Sequence, residues 1–458
     1  MDDITPYPTT DDSENSPGSA PGAGEAANAW TAAAAGADRA DPDPPGAADD
    51  PPEGRATLRV DRPAEVLAWL PYQLRFWPQE SAVLLSLRRA GRDDAPARGL
   101  DPAATALEPT ASLNPAVGAL EPGLIARTDL AVIGSVTAGR QAQVEMGRHL
   151  QRDGAHRAFC AIYTEQSFAS VLRGQGHGGR TLAWWRTTPW AELGKTYLIG
   201  PERFRCVECA DAPCCPHTGQ PLEVLHNTES AAWHVFHGHG YVRERKLLVP
   251  DARASTERRR AVGAAARRHD QQRPDHPGAA RAAWHRQMEH RWVALVEACA
   301  RADRAASVTS GPATAQRTHR EEQLSTDDLG AVLAGLADPW VRDAALLWSG
   351  TGQLLDEALR DNVVEAVFAG RLLPQPRRLS CADRTLAVLG AHATDRWKVP
   401  VLAARAWLAW WSGEGAKANM LLERTVRIDP EYSLAQLLGT ALAHGIPPGW
   451  ARTRGWAS

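Results

Sequence analysis

Strand patterns stop early in this chain. Between residues 57 and 207 short apolar runs alternate with amphipathic stretches, but from about residue 270 onward every patterned segment has a helical period. SAVLLSLRR (81–89), GLIARTDLAVI (123–133) and RAFCAIYTE (157–165) read as strands. The last is expected to be buried on both faces, because its apolar run is nearly continuous. TLRV (57–60) reads as a further strand, and 195–207 as a hairpin turning at Gly200-Pro201. A helix is expected from Pro63, capped by Asp61 and ended or kinked by Pro71, with others over 137–153, 166–173 and 229–238. The pattern implies an α/β N-terminal domain, a mixed sheet with flanking helices, followed by an all-α, tetratricopeptide-like helical C-terminal domain.

The helical patterns cover 252–268, 279–301, 326–349, 352–370, 380–393 and 398–443. Within 402–442, Ala406, Ala418, Leu422 and the Asp429-Pro430 stop sit where a tetratricopeptide unit places small residues and its terminal turn. Residues 1–54 are Ala, Pro, Gly, Ser and Asp with almost no large apolar side chains, so a disordered acidic tail is expected. The remaining layout is an α/β domain over 55–255 with a Cys-rich loop at 205–222 and an inserted Pro/Ala-rich segment at 90–121. An Arg-rich helical linker region (256–320) and a helical domain (321–452) follow.

A net charge of −3 over 458 residues argues against any general attraction to nucleic acid or anionic membrane. Among 51 basic residues only Lys195, Lys246, Lys398 and Lys417 are lysine, a bias that reflects base composition. The start, MDDITPYPTTDD, has neither a basic nor an apolar leader region, and no run reaches the roughly 18 apolar residues of a membrane span. A cytoplasmic location is expected, and no membrane partner. There thiols stay reduced.

Four of the seven cysteines lie in CVECADAPCCPH (206–217). Cys206 and Cys209 offer one half of a tetrahedral zinc site, and Cys214 with His217 offers the other, with Cys215 then packing inward. Only four residues separate the halves, so structural thiols or a disulfide stand beside structural zinc as the reading of this loop. Redox chemistry is disfavoured, because the Cys206-x-x-Cys209 motif follows a hairpin and does not open a helix.

Other clusters have blander readings. His234 and His237 share a helix face with His239 just beyond, at a partly exposed helix end. Gly174-Gln-Gly176-His-Gly178-Gly179 matches the dinucleotide spacing but follows a helix, so a flexible loop is expected. Arg258, Arg259, Arg260, Arg267 and Arg268 read as a solvated helix face, diluted by Glu257 and Asp270. Trp407, Trp410 and Trp411 read as core packing or, alternatively, as a groove for a partner peptide. Tyr163-Thr164-Glu165 ends a strand where α/β sheets place ligands, and Asp129 faces the same crevice if its strand runs parallel.

In chain order, RPAEVLAWLPYQLRFWPQESAVLLSL (62–87), Ala126–Leu130, Tyr163-Thr164-Glu165, Cys209-x4-Cys214-Cys215-Pro216, Ser230-Ala231-Ala232 and Gly445-Ile446-Pro447-Pro448-x-Trp450 stand together. This arrangement resembles the actinobacterial family catalogued as domain of unknown function 4192. Trp77 stands where that family's pattern has a histidine, and Cys206 is additional to its cysteines. The resemblance implies a layout and no activity. The functional expectation is a binding or scaffolding protein whose partner docks on the helical domain. The alternatives are an enzyme with a crevice near Asp129 and Glu165, or a weak nucleic-acid binder through the Arg-rich helix.

Overall fold

The computed structural model describes residues 62–89, 120–188, 192–211, 215–237, 239–308 and 324–453. The expected tail, the strand at 57–60, the cap Asp61, Cys214 and nearly all of the 90–121 insertion lie outside the described residues. Six strands form one mixed sheet: β1 (Ser81–Arg89), β2 (Leu120–Asp129), β3 (Arg157–Tyr163), β4 (Glu192–Ile199), β5 (Arg203–Cys206) and β6 (Gln220–Pro221). Their order is β2-β1-β3-β4-β5-β6. β1 runs antiparallel to both neighbours, β3 and β4 pair in parallel, and the last two pairings are antiparallel.

Successive strand side chains point to opposite faces, and here both faces are covered. Val83, Leu85, Phe159, Ala161, Tyr197 and Ile199 pack under α1 (Pro63–Leu74), α6 (Glu223–His226) and α7 (Glu229–Phe236). Ala82, Leu84, Cys160, Ile162 and Leu198 pack against α2 (Leu130–Ile133), α3 (Gly139–Arg152), α4 (Phe168–Leu172) and α5 (Gly176–Arg186). This double burial is why β1 and β3 read as continuous apolar runs.

One expected strand boundary is corrected, and of the two outcomes expected at Pro71 the ending of the helix is excluded. α1 continues through Pro71 to a left-handed C-cap at Arg75 (φ 64°). Pro71 removes one hydrogen bond near the last turn, which the complete burial of Leu67 and Leu70 outweighs. The strand expected over 123–133 ends at Asp129, where Leu130 N–H donates to Glu80 O at 2.9 Å. The chain there turns into α2, burying Leu130 and Ile133 beneath the sheet. A bulge in the β1–β2 register opposite Ser86 admits the Asp153 carboxylate, which accepts from Ser86 Oγ and, at 3.0 Å, from Leu124 N–H. Gly123 leaves the space for it, since a Cβ there would collide with Asp153 Oδ2.

Beyond the sheet, among the described residues, only helices follow: α8 (Thr256–Gln271), α9 (Ala279–Val308), α10 (Thr326–Leu336), α11 (Pro339–Thr351), α12 (Leu355–Arg360) and α13 (Val363–Phe368). After them come α14 (Pro376–His392), α15 (Asp395–Trp411), α16 (Gly415–Ile428), α17 (Ser433–Ala443) and α18 (Gly449–Thr453). Val262 and Ala266 of α8 and Trp292 and Val296 of α9 share one apolar core with α10 through α18. The sheet and this helical layer meet through Arg152 donating to His444 O (2.8 Å) and an Arg75–Glu414 ion pair (3.7 Å). Among the described residues no helix is long and apolar enough to cross a membrane.

Candidate functional site

β1 is antiparallel to β2 and to β3, so those two strands run parallel to each other and end on the same side. Ser81 pairs with Asp129 on one flank and with Tyr163 on the other. Residues paired directly across antiparallel strands share a face, so Ser81, Asp129 and Tyr163 form a row on the α1/α7 face. Glu80 holds this end together: its main-chain oxygen accepts from Leu130 and its Oε1 accepts from Glu165 N–H at 2.6 Å. It does so at φ 41°, a left-handed conformation that costs a non-glycine residue about 1–3 kcal/mol. Asp129 and Glu165 thus lie at one end of the sheet, as the parallel arrangement requires. Both are exposed, and Asp129 is ion-paired with Arg127.

An aromatic and histidine box stands against this row. Tyr72 stacks on His234 (centroids 4.5 Å apart) and meets Tyr241 edge-on, while Trp77 meets Tyr163 edge-on at 5.7 Å. His234 Nδ1 lies 3.0 Å from His239 Nδ1, and His237 stacks on Trp233. The expectation of a partly exposed helix end fails for His234, which is 2% exposed. Burial, with smaller help from the neighbouring His239, Arg75 and His237, pushes its pKa down to about 4. Burial likewise raises the Tyr163 phenol well above its usual range. Tyr163 Oη, Ser81 Oγ and His234 Nε2 are buried without a hydrogen-bond partner among the described residues.

The cysteine loop leaves β5 and packs back onto the same sheet face. Cys206 and Cys215 are buried in the core beneath α1, with Cys209 half-buried beside them. Cys206 Sγ donates to Glu208 Oε2 (3.5 Å), and the same oxygen accepts from Thr196 N–H (2.8 Å), tying the loop to β4. Burial pushes the Cys206 thiol up to about 11. His217 is exposed, and its main-chain oxygen accepts from Arg205. Among the described residues no three His, Cys, Asp or Glu side chains gather to hold a metal, so Cys206, Cys209 and His217 do not by themselves form such a group.

The glycine motif is helical where a loop was expected. α5 begins at Gly176, and a Cβ on Gly179 would overlap Gly174 of the preceding turn, so the glycines serve close packing between α4 and α5. A short helix precedes the motif, and no strand delivers it as a dinucleotide site requires. Trp407 and Trp411 stack at 5.5 Å in the buried core, which removes them from any peptide groove, and Trp410 donates to Ile446 O. Two carboxylates escaped the sequence reading. Glu65 lies buried in the first turn of α1, and a charged residue amid an apolar helix face was its only signal. Glu80 stands within the 62–87 motif, but its role could not be read there because it depends on positions 130 and 165.

These features define a mixed-sheet α/β protein whose strand ends are covered by an aromatic box, joined to a large helical layer. The segments around Tyr72, Pro78–Ser81, Asp129 and Tyr163–Glu165 meet at that one sheet end. The model of the family described as Domain of unknown function (DUF4192) matches residues 63–449, and the chain belongs to that family. No curated protein and no solved structure matches it.

Proposed function

We propose that this protein is a cytoplasmic binding and scaffolding protein whose helical C-terminal domain receives a protein partner through tetratricopeptide-like packing. The observation carrying this reading is the serial packing of α14, α15, α16 and α17, each on the next, as in helical repeats. Ala406 and Ala418 are wholly buried where α15 meets α16, and Asp429-Pro430 closes that pair. Val426, Ile428 and Leu437 of the last two helices leave apolar side chains in solvent, with Leu437 55% exposed. An apolar segment of a partner protein fits such a face. Chemical crosslinking of the full-length protein in its own cell extract should yield a defined partner that is lost in an Ile428→Glu/Leu437→Glu variant of unchanged melting temperature. An unchanged crosslinked set would sink the reading.

A second reading is an enzyme working at the sheet end. The shared position of Asp129 and Glu165 beside the Ser81–Tyr163 row supports it. A metabolite screen by thermal shift tests this: a ligand whose effect survives Asp129→Asn/Glu165→Gln rules out those carboxylates as its site. For the cysteine loop, the buried, Glu208-engaged Cys206 favours structural thiols over structural zinc.

A further inference from the structure

The arginines of α8 divide into two sets. One set is engaged: Arg258 donates to Leu324 O (3.0 Å) and His392 Nε2 (3.3 Å), and Arg268 pairs with Asp327 at 3.2 Å. The carboxylates close by are taken as well. Asp327 also meets His269 and Arg291, and Asp270 pairs with Arg396 at 2.6 Å and with Arg273. The other set is Arg259, Arg260 and Arg267. Among the described residues their guanidinium groups have no hydrogen-bond or ion-pair partner, and Glu257, one turn from Arg260, stays outside ion-pairing distance.

Those three line an open groove of about 280 Å³ together with Thr256, Gly263 and Thr394. Positions 256, 260, 263 and 267 recur at helical spacing, so the lining is one stripe of α8, with Arg260 and Arg267 about 10 Å apart along the axis. Thr394 is the N-cap residue of α15, yet its side chain caps nothing. Three guanidinium groups gathered with no ion-paired carboxylate among the described side chains repel one another, and forked N–H donors beside hydroxyls match the oxygens of phosphoryl groups. No aromatic side chain lines the groove to stack a base. Its volume lies just below the range usual for drug-sized ligands, about 300–1,000 Å³, and the net charge of −3 gives no broad attraction for long polyanions.

We infer that this groove binds a compact polyphosphorylated ligand through its di- or triphosphate group. The inference stands apart from the partner face on α16 and α17. Gly263 supplies a direct test, because a Cβ there would meet only Arg267 Nη1, at 3.8 Å. Gly263→Leu therefore fills the groove while keeping every arginine.

The experiment is calorimetric titration of the full-length protein with sodium tripolyphosphate, ATP and sodium sulfate at matched ionic strength. Tripolyphosphate should bind at least about tenfold more tightly than sulfate, and Arg260→Ala/Arg267→Ala should weaken it by at least about tenfold. Gly263→Leu should abolish it. The arginine variant also serves if Gly263→Leu lowers the melting temperature, since both replaced side chains are exposed and without partners. Equal affinity for ATP and tripolyphosphate assigns the site to phosphate alone, and clearly tighter ATP assigns it to a nucleotide. No heat from tripolyphosphate, sulfate binding equally well, or binding that survives in well-folded Gly263→Leu would overturn the inference.

Discussion

Ser230 donates its main-chain N–H to Glu65 Oε2 at 2.9 Å across 165 positions of sequence, and Glu229 N–H reaches the other oxygen at 3.1 Å. One buried carboxylate on α1 thereby satisfies two of the unpaired amides that open α7, beside the local cap from Thr228 to Ala231. α7 carries His234, so this contact also seats the aromatic box.

Glu65→Ala should accordingly destabilise the protein by about 2 kcal/mol, and Glu65→Gln, which keeps an acceptor but loses the charge, by about 1 kcal/mol. Urea denaturation checks both values. A Glu65→Ala midpoint equal to that of the parent would show that the contact contributes nothing.

Asp383 sits between Arg405 (3.0 Å) and Lys417 (2.9 Å), joining α14, α15 and α16. Burial alone would raise its carboxyl pKa, but the two cations outweigh that and hold it at about 2. The folded value is below the ordinary one near 4, so this stabilisation is complete above pH 4 and is lost as pH falls toward 2. Asp383→Ala strands the buried Arg405, while Lys417 keeps Glu414 at 3.0 Å, and should cost about 3 kcal/mol. Thermal melts at neutral pH measure this, and a melting point within a degree of the parent would contradict it.

His234 acts in a different window. Its folded-state pKa of about 4 lies below the usual 6.5, so the folded protein favours the neutral ring. Stability is full above pH 6.5 and declines as pH falls to 4, by at most about 3 kcal/mol. His234→Phe should flatten that part of the stability profile. A profile from pH 7 to 4 with the same slope in both proteins would place the titration elsewhere.

Protein purified without a histidine tag should contain well under one zinc per chain by elemental mass spectrometry. Cys206→Ala should still lower stability by about 1–2 kcal/mol, because it removes a packed core sulfur together with its hydrogen bond to Glu208 Oε2. Near-stoichiometric zinc that disappears in Cys209→Ser/Cys214→Ser would instead make the loop a metal site.

The sequence shows β1 and β3 clearly because both faces of each are buried, and it shows the β4–β5 hairpin through Gly200-Pro201. It overextends the second strand because Leu130–Ile133 continues the apolar pattern after the chain has turned. Pro71 and the glycine motif mislead for a related reason: local propensity yields to burial and close packing made by distant residues. The site was legible in its pieces, with Tyr163, Glu165 and Asp129 assigned to a strand-end crevice. Its fastening by Glu65 and Glu80 was not, because each depends on partners 50 to 165 positions away. The sorting of α8's arginines into paired and unpaired sets was hidden likewise, since Asp327, Leu324 and His392 approach only in three dimensions.

Arg89 and Leu120 face each other in the β1–β2 register, so the chain between them leaves and rejoins the sheet at adjacent points. Closing such a connection costs only about 0.6 kcal/mol more for each doubling of its length. This hairpin end is also the far end of the sheet from Glu80, Asp129 and Tyr163. A fluorescent or affinity module spliced between 90 and 119 should therefore ride on the molecule without touching the aromatic box. That position is a natural port for following this protein in the cell.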